Sequence, residues 1–214
     1  MEGSTGNSPA PPPAFRNRYW ILRHGRSVPN ERGLIVSSLE NGTKPEFGLA
    51  PQGVEQARSA GESLRKELEE MGVPVDSVKI CYSPFSRTTE TARVVAGVLG
   101  VPFEGPSCKY AEVWAIDEAD PFLAPEGGES VADVASRLAG VLSSADVEFH
   151  GSAVLIVSHG DPLQIFQAVL SGAKENPSFL DDASGLRKES LVISSVLSQH
   201  RKFALNTAEL RRVV

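Results

Sequence analysis

The chain has 214 residues, 41% of them hydrophobic, which suits one domain with a real core. A formal net charge of −6 argues against non-specific nucleic-acid binding, which needs a basic face, but leaves room for a phosphate substrate, because a few arginines in one pocket suffice. No apolar run is long enough to span a membrane, and Cys81 and Cys108 have neither metal-site nor disulfide spacing, so a reducing cytosol is expected.

Met1 to Ala14 carries Glu2, no basic residue and the run Pro11-Pro12-Pro13, unlike a secretory signal or a transit peptide. Residues 1–17 are read as a disordered tail and 18–214 as a single domain. Tyr19 to Leu22 is a short buried strand that ends at Arg23-His24-Gly25. After a polar stretch to about Leu49, Pro51 to Met71 has helical spacing, with Val54, Ala57, Gly61, Leu64, Leu68 and Met71 on one face; its acidic run Glu67 to Glu70 is expected to be solvated. Gly72 and Pro74 stop this helix. Val78 to Tyr82 is a second strand, and Ser83 and Pro84 read as the N-cap and first residue of a helix to about Leu99. Val101 to Phe103 reads as a third strand, followed by loop to Gly128. A helix starts at Ser130 with Asp133 completing a capping box. Ala153 to Val157 is the clearest strand, ending at Ser158-His159-Gly160, and Asp161-Pro162 opens a helix to about Leu170. Leu191 to Val196 would be the last core strand. Strands alternating with helices predict an α/β fold: a three-layer α/β/α sandwich around a mainly parallel sheet.

Three motifs fall where strands hand over to loops or helices: Arg23-His24-Gly25, Ser83-Pro84-Phe85-Ser86-Arg87 and Ser158-His159-Gly160. Ligands of open α/β sheets gather outside the carboxyl ends of the strands, so the three can converge on one site. Two arginines and two histidines there describe an anion site with a nucleophile. Planar guanidinium forks match a phosphoryl group carrying charge on three oxygens, and a neutral imidazole is a competent in-line nucleophile near pH 7.

Arg23-His24-Gly25 with Ser27 and Asn30, then Ser83, Arg87, Thr91 and Ala92, then Gly127-Gly128-Glu129-Ser130, then Ser158-His159-Gly160 resembles the phosphoglycerate mutase-like branch of the histidine phosphatase superfamily. The runs Cys81 to Ala92 and Ser158 to Gln164 are similar to plant members. The resemblance implies that His24 takes the phosphoryl group, that Arg23 and Arg87 clamp it, and that His159 stabilises the transferring oxygens. It also implies that Asn30 lies within reach of the phosphate and that Gly160 offers a backbone N–H. No metal or organic cofactor is expected. The expected partner is a small phosphorylated substrate, without nucleic acid or membrane and with a homodimer as an option. A relative branch places an Asp directly after its second His; here Asp161 stands one position later and immediately before Pro162, so a helix N-cap is favoured over an acid. Arg26 is expected to face solvent or a substrate tail, and His150 and His200 to be surface or loop residues.

One departure matters. Family members carry a Glu in a tract resembling Leu-x-Glu-x-x-x-Gly, in a loop covering the site, which protonates the leaving oxygen. The run from Phe103 to Trp114 contains no such tract, and the junction near Lys109 and Tyr110 reads as a point where a segment has been cut out. Glu112 and Glu104 are the nearest carboxylates, with Glu112 the candidate acid. The expected function is a phosphomonoester hydrolase acting through phospho-His24 with impaired activity. The alternatives are a phosphoglycerate mutase-type phosphotransferase and a phosphate-binding pseudoenzyme.

Overall fold

A computed structural model describes residues 15–103, 130–176, 179–180 and 197–214. β1 (Arg18–Arg23), β2 (Val78–Tyr82) and β3 (Ala153–Ser158) run parallel, and β4 (Leu210–Arg212) is antiparallel to β1, in the order β2-β3-β1-β4. The three parallel strands are apolar almost throughout because both faces of the sheet are covered. Successive side chains point to opposite faces. Tyr19, Ile21, Val154 and Ile156 enter one core, whereas Trp20, Leu22, Leu155, Val157, Ile80 and Tyr82 enter the other.

The core on the Trp20 side is closed by α3 (Pro51–Glu70) and α4 (Ser86–Leu99), introduced by the short helices α1 (Val28–Arg32) and α2 (Leu39–Gly42). α3 buries Ala57, Ala60, Gly61, Leu64 and Leu68, close to the predicted face. A Cβ on Gly61 would come to 3.0 Å from the side chain of Val98, so α3 and α4 cross at glycine distance. The opposite core is closed by α5 (Val131–Glu148) and α6 (Gly160–Glu175). α5 begins as predicted, with a capping box between Ser130 and Asp133. The expected three-layer sandwich is the observed architecture.

The structure corrects the sequence reading in several places. Phe15 and Asn17 are buried, and Asp146 of α5 accepts the backbone N–H groups of Arg16 and Asn17 and the hydroxyl of Tyr19. Residues 15–17, the last three of the segment read as a tail, therefore pack against α5. Ser83 does not cap α4: its N–H continues the ladder to Val157 and its carbonyl accepts the Thr88 hydroxyl, so the helix starts at Ser86 with Phe85 as the cap residue. Val101 to Phe103 is not a strand; Phe103 stacks on Tyr82 at 5.2 Å with Arg93 over its other face. β4 was not anticipated, and Leu191 to Val196 lies outside the described residues. Glu67 is not simply solvated, since it accepts the indole N–H of Trp20 at 2.8 Å. Asp161 is not an N-cap: His159 holds that position, Gly160 opens α6, and Asp161 lies inside the first turn without a side-chain capping bond.

Candidate active site

Strand pairing brings the motifs together. Arg23 and Ser158 are partners at the last rung between β1 and β3, so the next residues, His24 and His159, emerge side by side with ring centroids 5.3 Å apart. β2 lies on the far side of β3 and delivers Ser83, whose hydroxyl lies 3.0 Å from Nε2 of His159. One turn of helix later Arg87 points back over the same ring, its Nε donating to His159 Nδ1 at 3.3 Å. Arg23, His24, Asn30, Arg87, His159 and Gly160 all line one cavity of about 350 Å³.

Glycine at position 25 is a packing requirement. A Cβ there would come to 2.3 Å from the carbonyl oxygen of Gly53 at the start of α3, and one on Gly53 would come to 2.0 Å from the carbonyl oxygen of Arg26. The backbone after His24 is thus pressed against a helix, and the N–H of Gly25 is held by the Thr91 hydroxyl at 3.1 Å. Thr91 sits one turn beyond Arg87 and donates to its carbonyl, which explains the recurrence of functional residues at 83, 87 and 91.

Hydrogen bonding fixes the two imidazoles differently. His24 Nδ1 lies 2.8 Å from the carbonyl oxygen of Gly25, which can only accept, so Nδ1 carries the proton and Nε2 keeps its lone pair. Burial pushes the His24 pKa down to about 4; the charges of Arg87 and Arg23 act in the same sense, and the Gly25 bond opposes them. The ring is neutral at pH 7 with a bare nitrogen. In His159, Nδ1 must accept because a guanidinium only donates, so Nε2–H is directed at Ser83. Burial, reinforced by Arg87, His24 and Arg23, holds His159 well below the ordinary histidine value.

The cations are arranged for an anion. Arg23 Nη1 donates to the carbonyl of Leu205 and Arg87 Nη2 to that of Val36, but the buried Arg23 Nε and Arg87 Nη1 have no hydrogen-bond acceptor among the described residues. Neither guanidinium pairs with a carboxylate among the described residues. Burial lowers Arg87 to about 10, which leaves it charged at neutral pH. Two desolvated donors without acceptors are costly unless an anion supplies the acceptors. Asn30, which lines the cavity, uses Oδ1 to accept from the N–H and hydroxyl of Ser27, and this leaves its amide N–H₂ outside the capping box. Gly160 is the first residue of α6, so its N–H belongs to the set that has no partner within the helix.

The sequence reading missed a strap of chain behind the cations. Leu205 holds Arg23, the N–H of Ala208 donates to the His24 carbonyl, and the N–H of Arg23 donates to the carbonyl of Glu209. Arg211 ties this strap down through Gln167 of α6 at 2.7 Å, the carbonyl of Ala204 and the carboxylate of Glu209. Arg26 is exposed and pairs with Glu31, and it does not line the cavity. His150 is exposed and His200 bonds the carbonyl of Leu197, as surface and loop residues should. Glu112, Glu104, Gly127 and Gly128 lie outside the described residues.

Comparison with known proteins identifies the family and the fold. The family model of the histidine phosphatase superfamily (branch 1) matches residues 19–107 and 107–184. Agropine synthesis reductase of Rhizobium rhizogenes is 31% identical over 180 residues, covering 76% of this chain and 37% of that protein; the chain spans little more than a third of that relative's length. A mycobacterial glucosyl-3-phosphoglycerate phosphatase superposes with a TM-score of 0.55 at 20% identity, over 91% of this chain and 90% of the other. The phosphoserine phosphatase of Entamoeba histolytica gives 0.54 at 18%, over 91% and 88%. The product of an open reading frame of Mycobacterium tuberculosis gives 0.54 at 23%, over 91% and 89%. At such identities these structures share the fold.

Proposed function

Because the chain belongs to the histidine phosphatase superfamily, branch 1, we propose that it hydrolyses phosphomonoesters through a phosphohistidine on His24. The observation that carries this reading is the bare Nε2 of a buried, neutral His24 lining a cavity where Arg23 Nε and Arg87 Nη1 have no acceptor among the described residues.

In the first step Nε2 attacks phosphorus, the N–P bond forms and the bond to the ester oxygen breaks. Arg23 and Arg87 hold the equatorial oxygens, with the amide of Asn30 and the N–H of Gly160 as further donors. His159 is oriented by Arg87 and Ser83; the arriving dianion favours its protonated form, which then donates to a phosphoryl oxygen. The leaving oxygen takes a proton from a carboxyl group or from water. Glu112 remains the candidate for this role from the sequence, and Asp161 is the one carboxylate among the described residues lining the cavity. In the second step water attacks phosphorus, loses a proton, releases phosphate and restores His24. No step calls for a metal or an organic cofactor, and the cysteine usage suits the cytosol.

The absence of a recognisable acid tract favours a second reading, a site that binds phosphate without turning esters over. Steady-state turnover of an aryl phosphate beside an alkyl phosphate separates them, with His24→Ala as control. Hydrolysis of both, abolished in the variant, is the expected result and means that a proton donor is present. Hydrolysis of the aryl ester alone means an intact nucleophile with no donor, since loss of a general acid costs about a hundred- to ten-thousandfold for a poor leaving group. No turnover of either ester by folded protein leaves the binding reading.

A further inference from the structure

Resting on the hydrolase reading and extending it to the substrate, the geometry points to a leaving group that is apolar and carries no second anion, packed on Leu34 and Ile35. These two residues are 48% and 94% exposed and adjacent, and both line the cavity that holds His24. The other large apolar side chains exposed among the described residues, Val131 and Val147, are isolated positions on α5. Scattered exposure of that kind needs no explanation, whereas an apolar pair at the mouth of a pocket does.

The pair is held in place. Gly33 ends α1 at φ 64°, where an L side chain is disfavoured, and the N–H of Leu34 returns to the carbonyl of Pro29 at 2.9 Å. Beyond Ile35, the carbonyl of Val36 accepts Arg87 Nη2 at 3.1 Å. The lip is therefore anchored at one end to α1 and at the other to the phosphoryl clamp, and a phosphate bound between Arg23 and Arg87 places the ester body against it.

Charge supports the same class. Arg23 and Arg87 are the only cations among the described residues lining the cavity, and both belong to its phosphoryl end. Asp161 and Gln164 of α6 line the same cavity as the apolar lip. As a first-turn residue Asp161 favours its own helix electrostatically, and from the same position it repels a second carboxylate or phosphate at the mouth. Arg32, two residues before Leu34, is exposed and does not line the cavity, and Arg26 pairs with Glu31 at 3.7 Å.

The test uses the full chain with two aryl phosphonates that differ only at the far end, 4-ethylphenylphosphonate and 4-carboxyphenylphosphonate, titrated by calorimetry. The kcat/KM of the corresponding phosphate esters is measured in parallel. The ethyl compound should bind roughly fifty- to a hundredfold more tightly, the scale set by a single charge repulsion in water plus two buried carbons. Asp161→Asn should strengthen the carboxylate relative to the ethyl compound about fivefold at low salt, with the gain shrinking as salt screens the charge. Ile35→Ser should weaken the ethyl compound about fivefold and the carboxylate less. Equal binding of the two phosphonates, or an Asp161→Asn effect that is the same for both, would overturn the inference. Discrimination between phosphonates with no ester turned over would leave this preference standing and remove the hydrolase reading. Turnover of both esters without discrimination would do the reverse.

Discussion

The floor of the pocket and its mouth are built in different ways. On the floor, every functional group hangs from the end of a buried strand or from the first turn of the helix behind it: Arg23 and His24 from β1, His159 and Gly160 after β3, Ser83 and Arg87 after β2. Neighbouring strands fix their spacing, and both cores fix the strands. Among the described residues the mouth is formed by a four-residue stretch after α1, with its apolar side chains facing solvent, and by Asp161 and Gln164 of α6. The groups proposed for the chemistry stand where the sheet dictates geometry, and those proposed for selectivity stand where side chains can change without disturbing it.

That contrast can be broken at the floor by a single methyl group. Gly25→Ala drives a Cβ into the backbone of Gly53, which cannot move as a side chain would. It should destabilise the protein by at least about 3 kcal/mol, read as a lower urea midpoint, whereas Ile35→Ala at the mouth should leave the midpoint unchanged.

Protonation offers a second way. His24 binds its proton near pH 4 when folded and near 6.5 when unfolded. Between those values the unfolded chain takes up a proton that the folded chain refuses, so stability is full above pH 6.5 and declines as pH falls through this window, by about 3 kcal/mol at its lower end. His24→Gln should make that part of the profile shallower in urea titrations at several pH values, the remaining slope coming from His159, which is also held below the ordinary histidine value. The acid limb of kcat/KM assigned to His24 should likewise lie near pH 4 and not near 6.5.

A smaller effect is expected from the strap. Arg211 touches no cavity-lining residue, yet it secures the segment whose Leu205 carbonyl positions Arg23. Arg211→Ala should lower kcat on the order of tenfold through misplacement of the clamp, with partial recovery in Arg211→Lys, which can still reach the Gln167 amide. A loss of stability with unchanged kcat would assign Arg211 to packing alone.

The legible parts of the molecule were those where burial writes a pattern. β1, β2 and β3 stand out as short apolar runs because both faces are covered, and the Ser130–Asp133 box marks its helix directly. Pro84 and Pro162 misled for one shared reason: a residue without N–H fits anywhere in or just before a first helical turn, where N–H groups lack partners in any case. Asp161 was accordingly read as a cap and lost from the pocket. β4 left no trace, because three residues reading Leu-Arg-Arg have no alternation; their place depends on Arg211 reaching Gln167, 44 residues earlier in the chain. Leu34 and Ile35 fall in the stretch that reads as polar, where two apolar residues carry no pattern of their own, and the turn at Gly33 leaves them facing out.

The central claim is the covalent one. Protein mixed with an aryl phosphate and quenched in alkali within a single turnover should carry phosphate in a base-stable, acid-labile form, mapped to His24 and absent from His24→Gln. Turnover by the folded protein with no phosphate on His24 at any time after mixing would contradict the account.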